Sequence, residues 1–252
     1  MKDAAYWDQL TNGFLIHRHR GIWREFTDQL NQQLVAEIFT GPPVERILKT
    51  DLFDEALLNG VFAPMAGIAS EVHGIDLSGV VAKQAAENNP TAIIRQASVT
   101  QLPYADHYFN AVICLSTLDQ LETRAEVQRG LSEIYRVLAP GGQLLITFDN
   151  LSNPLIAVRK YFPFIPGPYF MGESVRVGQL KPLLESSGFG VLKSFTYMHA
   201  PRFAAVKICR LLERKPYAPT IAKLGLFEAL DKWPTRNWTA NYIGALARKP
   251  AN

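Results

Sequence analysis

Apolar residues recur at helical spacing through the first forty or so positions of the chain: Trp7, Leu10, Phe14, Ile22, Trp23, Phe26, Leu30, Leu34, Ile38 and Phe39. Gly41-Pro42-Pro43 breaks that pattern. Short apolar runs then alternate with helical stretches. The strand candidates are Val44–Leu48, Glu71–Ile75 (ending at Asp76), Ala92–Arg95, Ala111–Leu115 and Leu144–Phe148, the last following a turn at Pro140-Gly141-Gly142. The run Ala111-Val112-Ile113-Cys114-Leu115 is apolar throughout and predicts burial on both faces. An amphipathic helix, Ala125–Leu138, carries Val127, Leu131, Ile134, Tyr135 and Leu138 on one face. Strands separated by helices at this rhythm predict a mostly parallel, doubly wound sheet with helices on both faces and right-handed crossovers.

After residue 150 the rhythm changes. Residues 151–172 hold four prolines and the apolar set Tyr161, Phe162, Phe164, Tyr169, Phe170 and Met171, which reads as an insertion or lid. A helix is predicted over Gly178–Ser187, stopped by Gly188, and the last strand candidates are Val191–Tyr197 and Tyr242–Leu246.

The 252 residues, 48% hydrophobic and 19% charged, suffice for one large α/β domain with a sizeable core. No apolar run reaches the roughly 18 residues a membrane span needs, and the N-terminus lacks the apolar core of a secretory signal. Cys114 and Cys209 are too few and too isolated for a disulfide framework or a zinc site, so a reducing, cytoplasmic setting is the default. The net charge of +3 is uneven. Arg159, Lys160, Arg176, Lys181, Lys193, Arg202, Lys207, Arg210, Arg214 and Lys215 outnumber Glu173, Glu185 and Glu213 between residues 155 and 215. This basic, aromatic part reads as a solvated face, or as a surface for an anionic substrate or a membrane. No nucleic-acid-binding motif is visible. His17-Arg18-His19-Arg20 reads as a solvated helix segment rather than a metal site.

In an open parallel sheet, ligands sit beyond the carboxyl ends of the strands. The residues just past those ends are Lys49 to Glu55, Asp76-Leu77-Ser78, Ala97-Ser98-Val99, Ser116 to Asp119, and Asp149-Asn150. Asp76 is the most informative. An acid at the end of the second strand can accept hydrogen bonds from both hydroxyls of a ribose. The plainer reading is a turn or helix-capping aspartate.

The run from Val44 to Asn150 resembles the class I S-adenosylmethionine-dependent methyltransferases, in their small-molecule, type 11-like branch. The residues that carry the resemblance are HGIDLS at 73–78, QASVTQLPYADHYFNAVICLSTLDQL at 96–121 and LSEIYRVLAPGGQLLITFDN at 131–150. It implies a Rossmann-like, seven-stranded sheet with N-terminal helices and a C-terminal lid insert. On that reading one domain spans 1–252, with a helical cap over 1–43, a cofactor-binding core over 44–150, a lid over 151–177 and the rest of the core over 178–252. It implies S-adenosylmethionine as cofactor, S-adenosylhomocysteine as product, and a small-molecule acceptor. The family places a glycine-rich loop after the first strand. Here that loop reads Thr50-Asp51-Leu52-Phe53-Asp54-Glu55-Ala56 and has no glycine until Gly60. Either the loop takes another path and Asp51 or Asp54 meets the cofactor's ammonium group, or it no longer binds cofactor. By resemblance Leu77 packs on the adenine, Ser98 and Val99 flank it, and Leu115 and Ser116 line the methionine end, with Thr50 and Phe53 in the loop itself. Each of these also fits plain strand-end packing.

Methyl transfer is an in-line displacement in which the protein mainly positions the acceptor and excludes water. An oxygen acceptor often needs a general base. Asp119, Asp149, His199 and His17 are the candidates; the two aspartates come from strand ends, and His199 has the better intrinsic pKa. The apolar insert suggests a hydrophobic or aromatic acceptor, or else forms a dimer interface or a second small core, so the chain is read as a monomer or homodimer. The competing functions are a catalytically silent binding protein on this fold and a non-methylating enzyme that retains the cofactor.

Overall fold

The computed structural model describes residues 2–17, 22–162, 170–201 and 223–251. Two helices, α1 (Ala4–His17) and α2 (Ile22–Ile38), precede β1 (Val44–Lys49). Then follow α3 (Phe53–Leu57), α4 (Phe62–Ala66), β2 (Ala69–Asp76), α5 (Gly79–Asn88), β3 (Ile93–Gln96) and β4 (Phe109–Leu115). A 3-10 turn (Leu118–Gln120) leads to α6 (Arg124–Val137), β5 (Leu138–Asp149), α7 (Pro154–Tyr161), α8 (Val177–Ser186) and β6 (Gly190–Tyr197). A 3-10 helix (Leu226–Lys232), α9 (Arg236–Thr239) and β7 (Tyr242–Arg248) complete the described chain. His17's side chain, Arg18 to Arg20, the centre of the aromatic insert and most of the basic stretch after residue 201 lie outside the described residues.

The seven strands form one sheet in the order β3-β2-β1-β4-β5-β7-β6. All neighbours are parallel except β7, which runs antiparallel to both β5 and β6. The connections run outward to opposite sides from β1 and β4, so the crevice at their carboxyl tips is the topological switch point. The register sets the tips side by side: Lys49 pairs with Gly74 and Ile113, Leu115 with Thr147, and Asp149 with Tyr242, which pairs with Tyr197.

Local signals explain the elements. Ser78 caps α5 by accepting from Val81 N at 3.1 Å. Thr123 and Glu126 form a reciprocal capping box on α6. Gly188, at φ +92°, ends α8. One core cluster packs α6 (Val127, Leu131, Ile134) and α8 (Leu180, Leu183, Leu184) on one face of the sheet. The other packs Val35, Ala56, Phe62, Met65 and Val81 on the opposite face. A smaller cluster seats Ile22 and Phe26 of α2 against Met198, Ala200 and Leu224 beyond β6.

One expectation is corrected. Pro140-Gly141-Gly142 is not a turn before the fifth strand but lies inside β5, which starts at Leu138. Its pairing with β4 shifts register there, and Gly141 takes φ +77°, so the segment is absorbed as a bulge.

Candidate functional site

At the tip of β1 the loop is built by charge. Lys49 and Glu55, both buried, form an ion pair at 3.0 Å, and Lys49 Nζ also donates to the carbonyl of Asp51. Glu55 Oε1 accepts from Val61 N at 2.8 Å. Burial pulls the Lys49 ammonium down, but Glu55, Asp51 and Asp54 together hold it above its ordinary range. Asp51 Oδ1 accepts from Phe53 N at 3.0 Å. Burial pushes the Asp51 carboxyl up, opposed by Lys49. Asp54 is paired with Arg24 of α2 at 3.4 Å, and that guanidinium lies 4.5 Å from the Phe53 ring centroid. No described residue between 50 and 56 has a positive φ. The loop runs directly into α3, so the glycine-poor sequence carries no backbone strain here.

At the tip of β2, Asp76 sits behind this loop. Its Oδ2 accepts from Leu52 N at 2.9 Å and its Oδ1 from Ser78 N at 2.8 Å. Burial, and then the charge of Asp51, push its carboxyl up to about 7, against the pull of those two amides. Each carboxylate oxygen has a second acceptor position beyond the bond it makes. Asp8 of α1 accepts from Ser78 Oγ and, at 3.3 Å, from Val80 N, so α1 lies against this tip. Leu77 is half-buried, and its carbonyl accepts from Gln96 Nε2 at 3.1 Å. Ser98 Oγ is spent locally on Thr100, 2.8 Å from its hydroxyl, and Val99 is buried in the core.

The tips of β4 and β5 hold the second carboxylate group. Ser116 takes φ +49°, an uncommon conformation for a residue with a side chain, and its N–H donates to Thr147 Oγ1 at 3.0 Å. Thr50 and Thr117 hydroxyls lie 2.9 Å apart. Leu115 is buried in the cluster that holds Ile47, Ile113 and Leu145. Asp119 is fully buried: its Oδ2 accepts from Asp149 N at 2.8 Å, while its Oδ1 has no hydrogen-bond partner. Burial, then the neighbouring Asp149 charge, push the Asp119 carboxyl well up.

Sequence reasoning missed Tyr197 and Thr147. Tyr197, at the end of β6, feels Asp119, Asp54 and Asp149, and burial first and those charges next push its phenol up. The rule that directed attention to the other strand ends applies equally to β6. His199, the other base candidate, has partners of its own. Its Nδ1 is 2.8 Å from Thr239 Oγ1, its Nε2 is 3.5 Å from Asp231, and its N–H donates to Glu228. Burial pushes the ring pKa down. These partners belong to the 226–239 segment, a set separate from the one around Asp119, so His199 anchors that segment to the end of β6.

The described carboxylates therefore split into compensated and uncompensated groups. Asp54 is paired with Arg24, and Glu55 with Lys49, although burial still pushes the Glu55 carboxyl up; burial pushes Asp51 (which Lys49 opposes), Asp76 and Asp119 toward protonation without an ion-pair partner among the described residues. Such a crevice relaxes when a cation enters it. A sulfonium bearing an ammonium group fits that chemistry.

Residues 58–146 match the family model described as a methyltransferase domain. The chain is 30% identical over 115 residues to the ubiquinone/menaquinone biosynthesis C-methyltransferase UbiE of Photorhabdus laumondii subsp. laumondii, covering 37% of this chain and 44% of that protein. It spans about half the length of the first curated relatives it matches. Among solved structures, the [4+2]-cyclase SpnF aligns with a TM-score of 0.60 at 22% identity, over 89% of this chain and 81% of that one. The N-methyltransferase NodS from Bradyrhizobium japonicum WM9, in complex with S-adenosyl-L-homocysteine, aligns with a TM-score of 0.58 at 12% identity, over 89% and 88%.

Proposed function

We propose that this chain, whose residues 58–146 match a methyltransferase-domain model, is a class I S-adenosylmethionine-dependent methyltransferase that transfers the cofactor's methyl group to a small, hydrophobic or aromatic acceptor. The observation that carries the reading is the pair of carboxylates at the β1 and β2 tips, Asp51 and Asp76, which hold the same loop through Phe53 N and Leu52 N; burial first, and then the Asp51 charge, push Asp76 toward protonation. Asp76 takes the ribose hydroxyls on its second acceptor positions. Asp51, rather than Asp54, takes the ammonium group, because Asp54 already has Arg24. Leu77 covers one face of the adenine, and the backbone at Ser98 and Val99 meets its edge. Thr50, Phe53 and Ser116 line the methionine end, backed by Leu115.

When bound, the cofactor supplies an electrophilic methyl on sulfur. The chain holds it against the acceptor and keeps water out. Asp119 and Asp149 are the candidate proton acceptors for a hydroxyl substrate. A buried carboxyl pushed upward is a better base, once ionised, than an ordinary exposed one. The half-buried Tyr197 and the start of the insert would shape an apolar acceptor site. A reducing, cytoplasmic setting, expected from the two widely spaced cysteines of the sequence, stays part of the proposal.

Calorimetry with S-adenosylmethionine and S-adenosylhomocysteine tests the cofactor. Binding of neither would remove the reading. A gain of one methyl mass on a quinol, phenol or other apolar acceptor tests the reaction. A second reading, an enzyme that keeps the cofactor for another transformation, has the SpnF likeness beside it, but that likeness speaks for the fold alone. Cofactor binding without any methylated product would favour it.

A further inference from the structure

Most of the large apolar side chains that stand exposed among the described residues gather in two adjoining segments. On α7 and the residue that follows it they are Leu155, Val158, Tyr161 and Phe162; on the stretch 226–238 they are Leu226, Phe227, Trp233 and Trp238. Leu226 is 74% exposed, Trp238 63%, Trp233 60% and Tyr161 60%. The segments are tied together at their roots. Asn150 Nδ2 donates to Asn237 O at 2.9 Å and Ala240 O at 3.0 Å. Asn153, which caps α7, donates to Thr239 O at 3.3 Å and Ala240 O at 3.1 Å. Single exposed apolar residues need no explanation, but a grouped set of aromatic and aliphatic side chains does.

The charges of this region are sorted. Glu228 is turned inward, accepting from Met198 N and His199 N, each at 2.8 Å. Asp231, still half in solvent, is tied to Thr196 Oγ1 at 2.7 Å. Lys223, Lys232 and Arg236 are exposed. α7 contains no acid. The outward face is therefore aromatic, aliphatic and cationic. Tryptophan and tyrosine beside lysine and arginine are the side chains that settle at a bilayer's headgroup level, where the cations meet anionic lipid. A face that pairs with a second copy must be complementary to itself, and three exposed cations work against that.

We propose that this face, formed by α7 and the 226–238 stretch, docks the protein on an anionic lipid surface. β5 leads through Asn150 directly into α7, so docking sets the strand-tip crevice beside the membrane, where a lipophilic acceptor would be drawn from. The proposal stands independently of methyl transfer.

Flotation of the full chain with vesicles of phosphatidylcholine alone, and of phosphatidylcholine mixed with phosphatidylglycerol, tests it. Binding is expected on the anionic vesicles, weakening with added salt. Lys232→Ala and Arg236→Ala should each reduce partitioning about fivefold. Trp233→Ala combined with Trp238→Ala should reduce it about tenfold or more. Leu192→Ala, an exposed apolar position on β6 outside the face, should leave it unchanged. All of these positions are exposed, so thermal melts should match the parent. No partitioning, equal partitioning on both vesicles, or an unchanged double tryptophan variant would overturn the proposal. So would a dimer in analytical ultracentrifugation that the double variant dissolves, since the face would then belong to a second copy. S-adenosylhomocysteine calorimetry on the same variants should show unchanged affinity. Failure of the parent to bind it would sink the methyltransferase reading and leave the docking result intact.

Discussion

Replacing Asp76 by asparagine separates its two tasks. The carboxylate accepts from Leu52 N at 2.9 Å with one oxygen and from Ser78 N at 2.8 Å with the other. Asparagine keeps one acceptor oxygen and turns an NH2 toward the remaining backbone N–H. One buried donor then loses its partner, at a cost of about 1–3 kcal/mol. For a chain of this size that lowers the melting temperature by roughly 2–4 °C per kcal/mol. The ligand-free parent also carries a penalty the variant lacks, because burial and Asp51 hold the Asp76 carboxyl up to about 7. The destabilisation should therefore be larger near pH 5, where the parent carboxyl is protonated, and smaller above pH 7, where the parent must bury a charge. Cofactor binding loses charged hydrogen bonds to the ribose, about 1.5–3 kcal/mol, or roughly ten- to hundredfold in Kd. Calorimetric melts without ligand and titration with S-adenosylhomocysteine read the two effects separately. A lowered melt with an unchanged Kd would refute the ribose assignment and leave Asp76 as a clamp for the loop.

Three further outcomes follow from the same geometry. Asp28 and Asp76 are both pushed up to about 7, chiefly by burial, so the folded chain keeps protons that the unfolded chain releases near pH 4. Ligand-free stability should fall as pH rises from about 4 to about 7, and urea midpoints that rise across that window would contradict this. Lys49→Met leaves the buried Glu55 carboxylate without its cation and should cost about 3–5 kcal/mol, with Lys49→Met/Glu55→Gln recovering much of it; denaturant titration of the single and double variants checks the coupling. Asp119→Asn preserves an acceptor for Asp149 N and removes a buried like charge, so stability should hold or rise, while turnover on a hydroxyl acceptor should drop about a hundredfold or more. Undiminished turnover would exclude Asp119 as the base.

The sheet was legible because each strand announces itself by an apolar run and each tip by polarity. The runs Val44–Leu48 and Ala111–Leu115 fall within β1 and β4, and the apolar face of Ala125–Leu138 marks α6; the capping box of Thr123 and Glu126 emerged only from the structure. The start of β5 was hidden, since a proline and two glycines spell a turn locally and only pairing with β4 and β7 turns them into a bulged strand. Asp119 and Asp149 were legible as tip residues, but their backbone bond was not, because it depends on how the Leu118–Gln120 turn folds back on β5. The partners of His199 were not legible, for a definite reason. Its intrinsic pKa favours base chemistry, yet Thr239, Asp231 and Glu228, all some thirty or more residues away, claim it. Long-range partners of that kind leave no local trace in a sequence.

The loop without glycine shows how one physical need can be met at another place. A glycine-rich turn lets backbone approach ligand and neighbouring strand without a side chain in the way. In this chain the loop keeps ordinary negative φ, its amides at Leu52 and Phe53 are taken by Asp76 and Asp51, and its side chains carry the Lys49–Glu55 pair below the surface. The close approach has moved to the partner strand. A methyl on Gly74 of β2 would come within 2.7 Å of Leu52 Cδ2 and 2.8 Å of Phe62 Cζ, so the missing side chain that seats this loop belongs to Gly74. The displaced positive φ appears at Gly60, beyond α3, packed against Glu55. The loop's shape is thus held by buried charge and by glycines outside it. The same buried carboxylates that shape it, Asp51 and Asp76, are the ones left wanting a cation, which links the unusual sequence of the loop to the charge of the ligand proposed for it.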